Sequence, residues 1–180
     1  MIVAALLACA MNVAPVTLDA IVRAESGGNP IAINVNHLVG PQPHAVSAAD
    51  AAALTRRYIA AGYSVDIGLM QVNSRDLAAL GYTIEDALDP CRSISGGAAI
   101  LAADYSRAVQ QFGEGQRALL AALSAYNTGD FYRGFGNGYV SRVAGIPTMS
   151  RQTPAAATPA NPYTATTVAY SREDLHVRIE

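Results

Sequence analysis

The segment IVRAESGGNP, residues 21–30, places a carboxylic acid at the end of an apolar helical pattern. Leu18, Ile21 and Val22 have the i, i+3, i+4 spacing of one helix face. Glu25 is the next member of that series, so its side chain is expected to point toward packed surface. Burial and the negative end of the helix dipole both raise the pKa of such a group. A glutamic acid that stays protonated near neutral pH can serve as a general acid. The alternative is a solvated side chain in the last helical turn.

A second group of residues lies in GLMQVN, residues 68–73. Gly68 would allow a close approach to the backbone. The side-chain amides of Gln71 and Asn73 both donate and accept hydrogen bonds, which suits sugar hydroxyls and N-acetyl groups. In the alternative interpretation the amides cap a turn and three apolar side chains belong to the core, namely Leu69, Met70 and Val72.

Two further segments, SAYNTG and NGYVSRV, place polar aromatic residues near helix ends. Tyr126 and Asn127 close one predicted helix, and Tyr139 lies near the start of another. These side chains could contact a ligand. Tyr126 could equally be a core residue with a satisfied hydroxyl, and Asn127 a C-terminal helix cap.

The elements that must position these residues are mostly helices. Gly27, Gly28 and Pro30 end the helix that carries Glu25, and Thr17 is its predicted N-cap. Weak alternation around residues 63–73 favours a short β-hairpin or an irregular strand segment. The sequence therefore predicts a mainly α, α+β fold. Its other main helices are expected at 47–62, 91–112, 115–127 and 137–145.

Composition limits the classes of protein that the chain could be. Its 180 residues fit one domain, and 51% apolar with 14% charged residues is typical of a globular protein. The net charge is −2, Lys is absent, and no basic stripe indicates nucleic acid. No apolar run reaches the ~20 residues needed to span a membrane. We predict a domain over 1–149, followed by a Pro/Thr/Ala-rich linker and flexible tail over 150–180.

The amino terminus and the cysteines bear on the compartment. MIVAALLACA could be the apolar part of a secretory signal, but it lacks a basic leader. We interpret it as the first helix of a mature domain, with the export signal absent or trimmed. Cys9 and Cys91 either form one disulfide in an oxidising compartment or are separate buried thiols. Two cysteines cannot form a Cys-rich zinc site, and His37, His44 and His176 show no ligand spacing, so no metal is expected.

Taken together, E-S-G, G-L-M-Q, A-Y-N and a later lone Tyr form the motif set of a known family. Residues 9–145 resemble the lysozyme-like, SLT-type lytic transglycosylases, in the small branch that accompanies bacterial type IV secretion and conjugation machines. The similarity lies in ESGGNP, YIAAGYSVDIGLMQVNS, the DPC before the long helix, and AYNTGDFYRGFGNGYVSRV. The tail after residue 150 is not covered by the resemblance.

The resemblance implies a goose-lysozyme-like helical domain that is a periplasmic lyase acting on peptidoglycan. It implies cleavage between N-acetylmuramic acid (MurNAc) and N-acetylglucosamine (GlcNAc). Glu25 would be the catalytic acid/base, and Ser26 would orient it. The sugar groove would be lined by Gly68, Leu69, Met70, Gln71, Tyr126, Asn127 and Tyr139. Type IV secretion components are expected partners, with the tail as the expected contact.

A single acid implies a particular reaction, because ordinary glycosidases use two carboxyl groups. With Glu25 alone, the 6-hydroxyl of the MurNAc whose bond is cleaved would close onto the anomeric carbon of that sugar and leave a 1,6-anhydro ring. No metal or cofactor would be needed. Two alternatives remain open. Asp66 could hold a water and make the protein a lysozyme-type muramidase. A protein with the same fold could also be a non-catalytic wall-binding adaptor.

Overall fold

A computed structural model describes residues 6 and 8–145 of the chain. Within these residues helices dominate and strands are short, which confirms the mainly α prediction. The tail over 150–180 and most of the predicted amino-terminal helix lie outside the described residues. The helices are α1 (Pro15–Glu25), α2 (Ala48–Ala60), α3 (Leu77–Leu80), α4 (Ile84–Leu88), α5 (Pro90–Phe112), α6 (Gln116–Thr128), α7 (Arg133–Gly136) and α8 (Tyr139–Ala144). The strands are β1 (Ile33–Val35), β2 (Val65–Ile67) and β3 (Val72–Asn73).

Helix α1 carries Glu25, the carboxylic acid that the sequence analysis singled out, at its last position. Its predicted start at Thr17 is wrong: the helix begins at Pro15, whose fixed φ suits the first helical position. Leu18, Ile21 and Val22 are fully buried, as their spacing predicts. The helix ends at Glu25, where the following backbone N–H bonds to the carbonyl oxygen of Val22.

The three strands form one antiparallel sheet in the order β1–β2–β3. Its apolar face packs into the core, and its polar face carries three cross-strand neighbours, Asn34, Asp66 and Asn73. On the outer edge of β1, the Gln42 side chain bonds to both backbone groups of Val35. Gln42 Oε1 accepts from the Val35 N–H at 2.7 Å, and Gln42 Nε2 donates to the Val35 carbonyl at 3.0 Å.

The long helix α5 packs against α6 and forms the centre of the domain. The pair Gly96–Gly97 inside α5 permits close packing there. A Cβ atom on Gly97 would lie 2.5 Å from Cβ of Met70 and 2.8 Å from the Tyr126 hydroxyl. Gly97 therefore allows the segment after β2 and the end of α6 to approach α5, whereas Gly96 leaves room for the ring of Tyr82.

A disulfide joins the amino-terminal segment to the first turn of α5. Cys9 and Cys91 are bonded, with their Cα atoms 5.4 Å apart and a sequence separation of 82. Among the described helices, none combines the length and apolarity that a membrane span requires.

Candidate active site

The sheet and the ends of α1 and α6 border a cleft of about 520 Å³. Five of the residues singled out from the sequence line it together: Glu25, Gln71, Asn73, Tyr126 and Asn127. Asp66, the residue considered as a water holder, lines the same cleft. The cleft therefore brings together a carboxylic acid from α1, amides from the β3 region and the polar end of α6.

Glu25 has the protonation behaviour that its position in the sequence indicates. It is half-buried, and its pKa is raised from 4.5 to about 7, mainly by burial. The negative charge of Asp66 raises the pKa further. Two effects lower the pKa: the hydrogen bond from Tyr139 and the positive charge of Arg142. Burial is the largest of these effects, so the carboxyl group holds its proton up to neutral pH.

Tyr139 is the direct partner of this carboxyl group. Its hydroxyl donates to Glu25 Oε1 at 2.5 Å, and its ring is almost wholly buried. Gly138 in the left-handed conformation precedes α8, and the Asn137 side chain accepts from the Tyr139 N–H at 2.9 Å. Sequence reasoning placed Tyr139 in the groove lining. The structure instead places it behind the carboxyl group, at 114 residues' separation, a contact that no local pattern reveals.

Two hydroxyl groups hold backbone carbonyl oxygens of the GLMQ segment. Ser26 Oγ donates to the Leu69 carbonyl at 2.8 Å, and the Tyr126 hydroxyl donates to the Met70 carbonyl at 2.6 Å. Burial raises the pKa of Tyr126, so it remains a donor. The side chains of Leu69 and Met70 lie in the core. Ser26 and Tyr126 thus fix the position of this segment relative to α1 and α6.

The glycine that opens this segment has a packing role. Gly68 is buried, with φ of 77°, and a Cβ atom there would lie 2.1 Å from the Ala87 carbonyl oxygen. Among the GLMQ residues, Gln71 alone lines the cleft. It has a left-handed φ of 48°, and its Nε2 donates to the Gly68 carbonyl at 2.9 Å. Strained backbone at a non-glycine residue is typical of ligand-binding sites.

Asp66 accepts hydrogen bonds from the side-chain amides of three asparagines. The Nδ2 atoms of Asn73, Asn36 and Asn34 lie 2.6, 3.0 and 3.4 Å from its carboxylate oxygens. Sequence reasoning singled out Asn73 but neither Asn34 nor Asn36. The alternation of Ile33, Asn34 and Val35 could have indicated that Asn34 lies on the polar face of a strand. The residue opposite it, however, depends on the register of the sheet.

The histidines form no metal site in the part of the chain that is described. His37 lies at the cleft with a left-handed φ of 61°, and His44 is exposed. Over residues 6 and 8–145, no three His, Cys, Asp or Glu side chains are grouped so that they could hold a metal ion. His176 lies outside the described residues.

Comparison with known proteins gives the family of the chain. The family model described as the transglycosylase SLT domain matches residues 4–143. Protein VirB1 of Agrobacterium fabrum is 44% identical over 135 residues, which cover 75% of this chain and 54% of that protein. The type IV secretion system protein VirB1 of Brucella abortus is 42% identical over 130 residues, covering 71% and 53%.

The chain spans about half the length of the curated relatives it matches. None of the solved structures compared with the chain matches it significantly. The family match covers all the cleft-lining residues described above, from Glu25 in α1 to Asn127 in α6. The chain belongs to the SLT transglycosylase family, and it is similar to the VirB1 proteins of type IV secretion within that family.

Proposed function

We propose that the chain is a peptidoglycan lytic transglycosylase that cleaves the β-1,4 bond between MurNAc and GlcNAc and leaves 1,6-anhydro-MurNAc ends. The observation that carries the proposal is Glu25, a half-buried carboxyl group at the cleft with a pKa of about 7. A group with this pKa can give and then recover a proton at neutral pH.

In the proposed reaction Glu25 acts twice. It first protonates the bridging oxygen while the bond to the anomeric carbon of MurNAc breaks. The oxygen of the 2-acetamido group then stabilises the positive charge on that carbon. Glu25, now ionised, removes the proton of the 6-hydroxyl, whose oxygen closes onto the anomeric carbon. Because the nucleophile belongs to the same sugar, closure benefits from a high effective molarity.

The structure supports roles for the groups around Glu25. Tyr139 fixes the orientation of the carboxyl group through its 2.5 Å hydrogen bond. Ser26 acts on the backbone of Leu69, so it orients Glu25 only through the end of α1. The amides of Gln71, Asn73 and Asn127 line the cleft as candidate partners for N-acetyl and hydroxyl groups of the glycan.

We place the reaction in the periplasm, where it would open the cell wall locally for a type IV secretion or conjugation apparatus. The disulfide supports an oxidising compartment. The similarity to VirB1 proteins supports the secretion context. The tail over 150–180 is our candidate for contact with other secretion components.

Substitution of the acid tests the proposal. Glu25→Gln should lower cleavage of peptidoglycan by about 10²–10⁴-fold, because a general acid contributes that much, while binding of wall fragments persists. Mass spectrometry of products from the parent should show anhydro ends, lighter by one water than reducing ends. Glu114→Gln makes the same chemical change at an exposed loop residue and should retain parental activity.

The products also separate the proposal from hydrolysis. If Asp66 activated a water, the parent would release reducing ends. Three amide donors already occupy the carboxylate of Asp66, which favours the anhydro product. Reducing ends alone would show a muramidase, and undiminished wall clearance by Glu25→Gln would show that Glu25 is not the acid. Binding without cleavage by the parent would show an adaptor.

A further inference from the structure

The turn that follows β3 presents an arginine and an aspartate next to each other at the cleft. Arg75 and Asp76 both line the cleft that contains Glu25. Arg75 is exposed, and Asp76 is half-buried. The proposed reaction uses neither side chain, so their presence in the cleft calls for a separate explanation.

Hydrogen bonds to β2 and to Asn73 fix the backbone of this turn. The Ser74 N–H donates to the Val65 carbonyl at 2.8 Å, and Ser74 Oγ accepts from the Val65 N–H at 3.0 Å. Asn73 Oδ1 accepts from the Arg75 N–H at 3.0 Å, and the Asn73 carbonyl accepts from the Asp76 N–H at 2.9 Å. The two charged side chains therefore project from a backbone that is already held in place without a ligand.

The guanidinium of Arg75 has no partner within the described part of the chain. It forms no ion pair, side-chain hydrogen bond or ring contact there, whereas every other described arginine has at least one interaction. Arg107, which also lines the cleft, is paired with Asp104 and lies 5.5 Å from the centre of the Phe131 ring. Arg75 is thus available to an anion from outside, and the planar guanidinium matches a carboxylate in a bidentate pair.

Asp76 also lacks a side-chain partner among the residues that the structure describes. Its carboxylate neither caps α3 nor forms an ion pair with Arg75. The other acids at the cleft each have a hydrogen-bond or ionic partner, namely Glu25, Asp66 and Asp104. Burial, followed by the charge of Asp66, raises the pKa of Asp76, and a bound ammonium group would lower it again.

We propose that Arg75 and Asp76 form a subsite for a zwitterionic amino-acid group, in which an ammonium and a carboxylate share one carbon atom. Arg75 binds the carboxylate, and Asp76 accepts hydrogen bonds from the ammonium. A simple anion would be repelled by Asp76 and a simple cation by Arg75, so the pair favours a ligand that carries both charges.

The source of this group rests on the proposed function, because the peptides of peptidoglycan are the part of that substrate that can carry it. A peptide that contains a diamino dicarboxylic acid presents an ammonium and a carboxylate together at the end of a side chain. The subsite therefore makes the chain prefer glycan strands that bear peptides over bare strands.

The test compares three forms of the same soluble glycan strands: with their peptides, with the free amines of the peptides acetylated, and with the peptides removed by an amidase. Calorimetric titration into Glu25→Gln measures the dissociation constant of each form without cleavage. Acetylation should weaken binding by about threefold and removal of the peptides by about tenfold, because each breaks charged hydrogen bonds in a partly exposed site. Equal dissociation constants for the three forms would overturn the proposal.

Variants of the turn, made in the same Glu25→Gln chain, assign the two halves of the ligand. Arg75→Gln should bring the ratio of dissociation constants for bare and peptide-bearing strands close to one, and Asp76→Asn should remove the effect of acetylation. Arg57→Gln is the matched control, because Arg57 lies on α2 outside the cleft, and it should keep every ratio. Parental ratios in Arg75→Gln and Asp76→Asn would contradict the subsite.

The comparison of the three strand forms needs no change in the turn, so it holds even if those variants do not fold. Tighter binding of peptide-bearing strands by a chain that releases no anhydro ends would refute the proposed function and support the subsite. Anhydro ends released by a chain that binds all three forms equally would refute the subsite alone.

Discussion

At the scale of single residues, the contact between Glu25 and Tyr139 shows how opposing effects set one proton affinity. Burial disfavours the carboxylate, and the phenol hydrogen bond favours it. The pKa of about 7 is the outcome, with burial the larger effect. The same burial, with the charge of Glu25, raises the pKa of Tyr139, so the phenol stays a donor.

Replacing Tyr139 by Phe should shift the activity profile to higher pH. The lost hydrogen bond no longer favours the carboxylate, so the pKa of Glu25 should rise above 7. Activity requires the protonated acid, so the alkaline limb of kcat/KM should move upward. The pH–rate profile on a soluble glycan measures this. Tyr132→Phe, an exposed tyrosine bonded to Gln111, is the control and should leave the limb in place.

Glu25 should also make stability depend on pH. Its folded pKa is about 7 and its ordinary value is 4.5, so the folded state binds the extra proton between these values. The free energy of unfolding should therefore fall as pH rises through this window, by up to about 3 kcal/mol. Glu25→Gln removes this dependence. Denaturant titrations at pH 4.5 and 8 measure this. The free energy of unfolding of the variant, relative to that of the parent, should be higher at pH 8 than at pH 4.5. The same difference at both pH values would contradict the raised pKa of Glu25.

At the scale of elements, the short distance between the GLMQ segment and its neighbours decides the shape of the cleft. Gly68 contacts the end of α4, and Gly97 in α5 admits Met70 and Tyr126. The hydroxyls of Ser26 and Tyr126 then hold the Leu69 and Met70 carbonyls. The amides that line the cleft thus depend on packing beneath them.

Gly68 and Gly62 both have a left-handed φ, so alanine substitutions at the two positions distinguish the cost of backbone strain from the cost of a steric clash. Gly68→Ala adds a Cβ atom 2.1 Å from the Ala87 carbonyl oxygen and should cost more than about 3 kcal/mol of stability. Gly62→Ala has a φ of 90° but open space around it, so it should cost only about 1 kcal/mol. Thermal or denaturant unfolding measures both. Similar losses in the two variants would show that strain alone governs Gly68.

Local patterns predicted the elements better than they predicted the contacts between them. The spacing of Leu18, Ile21 and Val22 identified the buried face of α1 and the direction of Glu25. The roles of the GLMQ residues were harder to predict from the sequence, because an alternating pattern cannot show which backbone carbonyls will face a hydrogen-bond partner. The hydrogen bonds from Asn34, Asn36 and Asn73 to Asp66 depend on the register of three strands drawn from residues 33–73, which no single segment contains.

At the scale of the whole molecule, the disulfide joins two distant parts of one domain. Cys9 precedes α1, and Cys91 lies in the first turn of α5. Since α1 carries Glu25, the bond also limits how far the acid-bearing helix can move from the centre of the domain. The sequence alone could not decide between a disulfide and two free thiols, because a separation of 82 residues along the chain gives no information about the distance between Cys9 and Cys91.

Reduction should therefore destabilise the domain. In the chain-entropy model, closing a loop of this length is worth about 4–5 kcal/mol. Cys9→Ser with Cys91→Ser should lower the free energy of unfolding by a similar amount. Intact mass after alkylation checks the bond itself: the parent should take up two alkyl groups only after reduction. Two groups taken up without reductant would show free thiols.

The Gln42 side chain has a consequence for what the sheet can accept from outside. The substrate that we propose, peptidoglycan, carries short peptides, and an extended peptide can lengthen a sheet wherever a strand offers unpaired backbone groups. At Val35 both groups already have a partner in one amide that imitates a peptide unit. Strand addition at that position would first have to displace Gln42, so the polar sheet can border a peptide-bearing polymer without becoming its template.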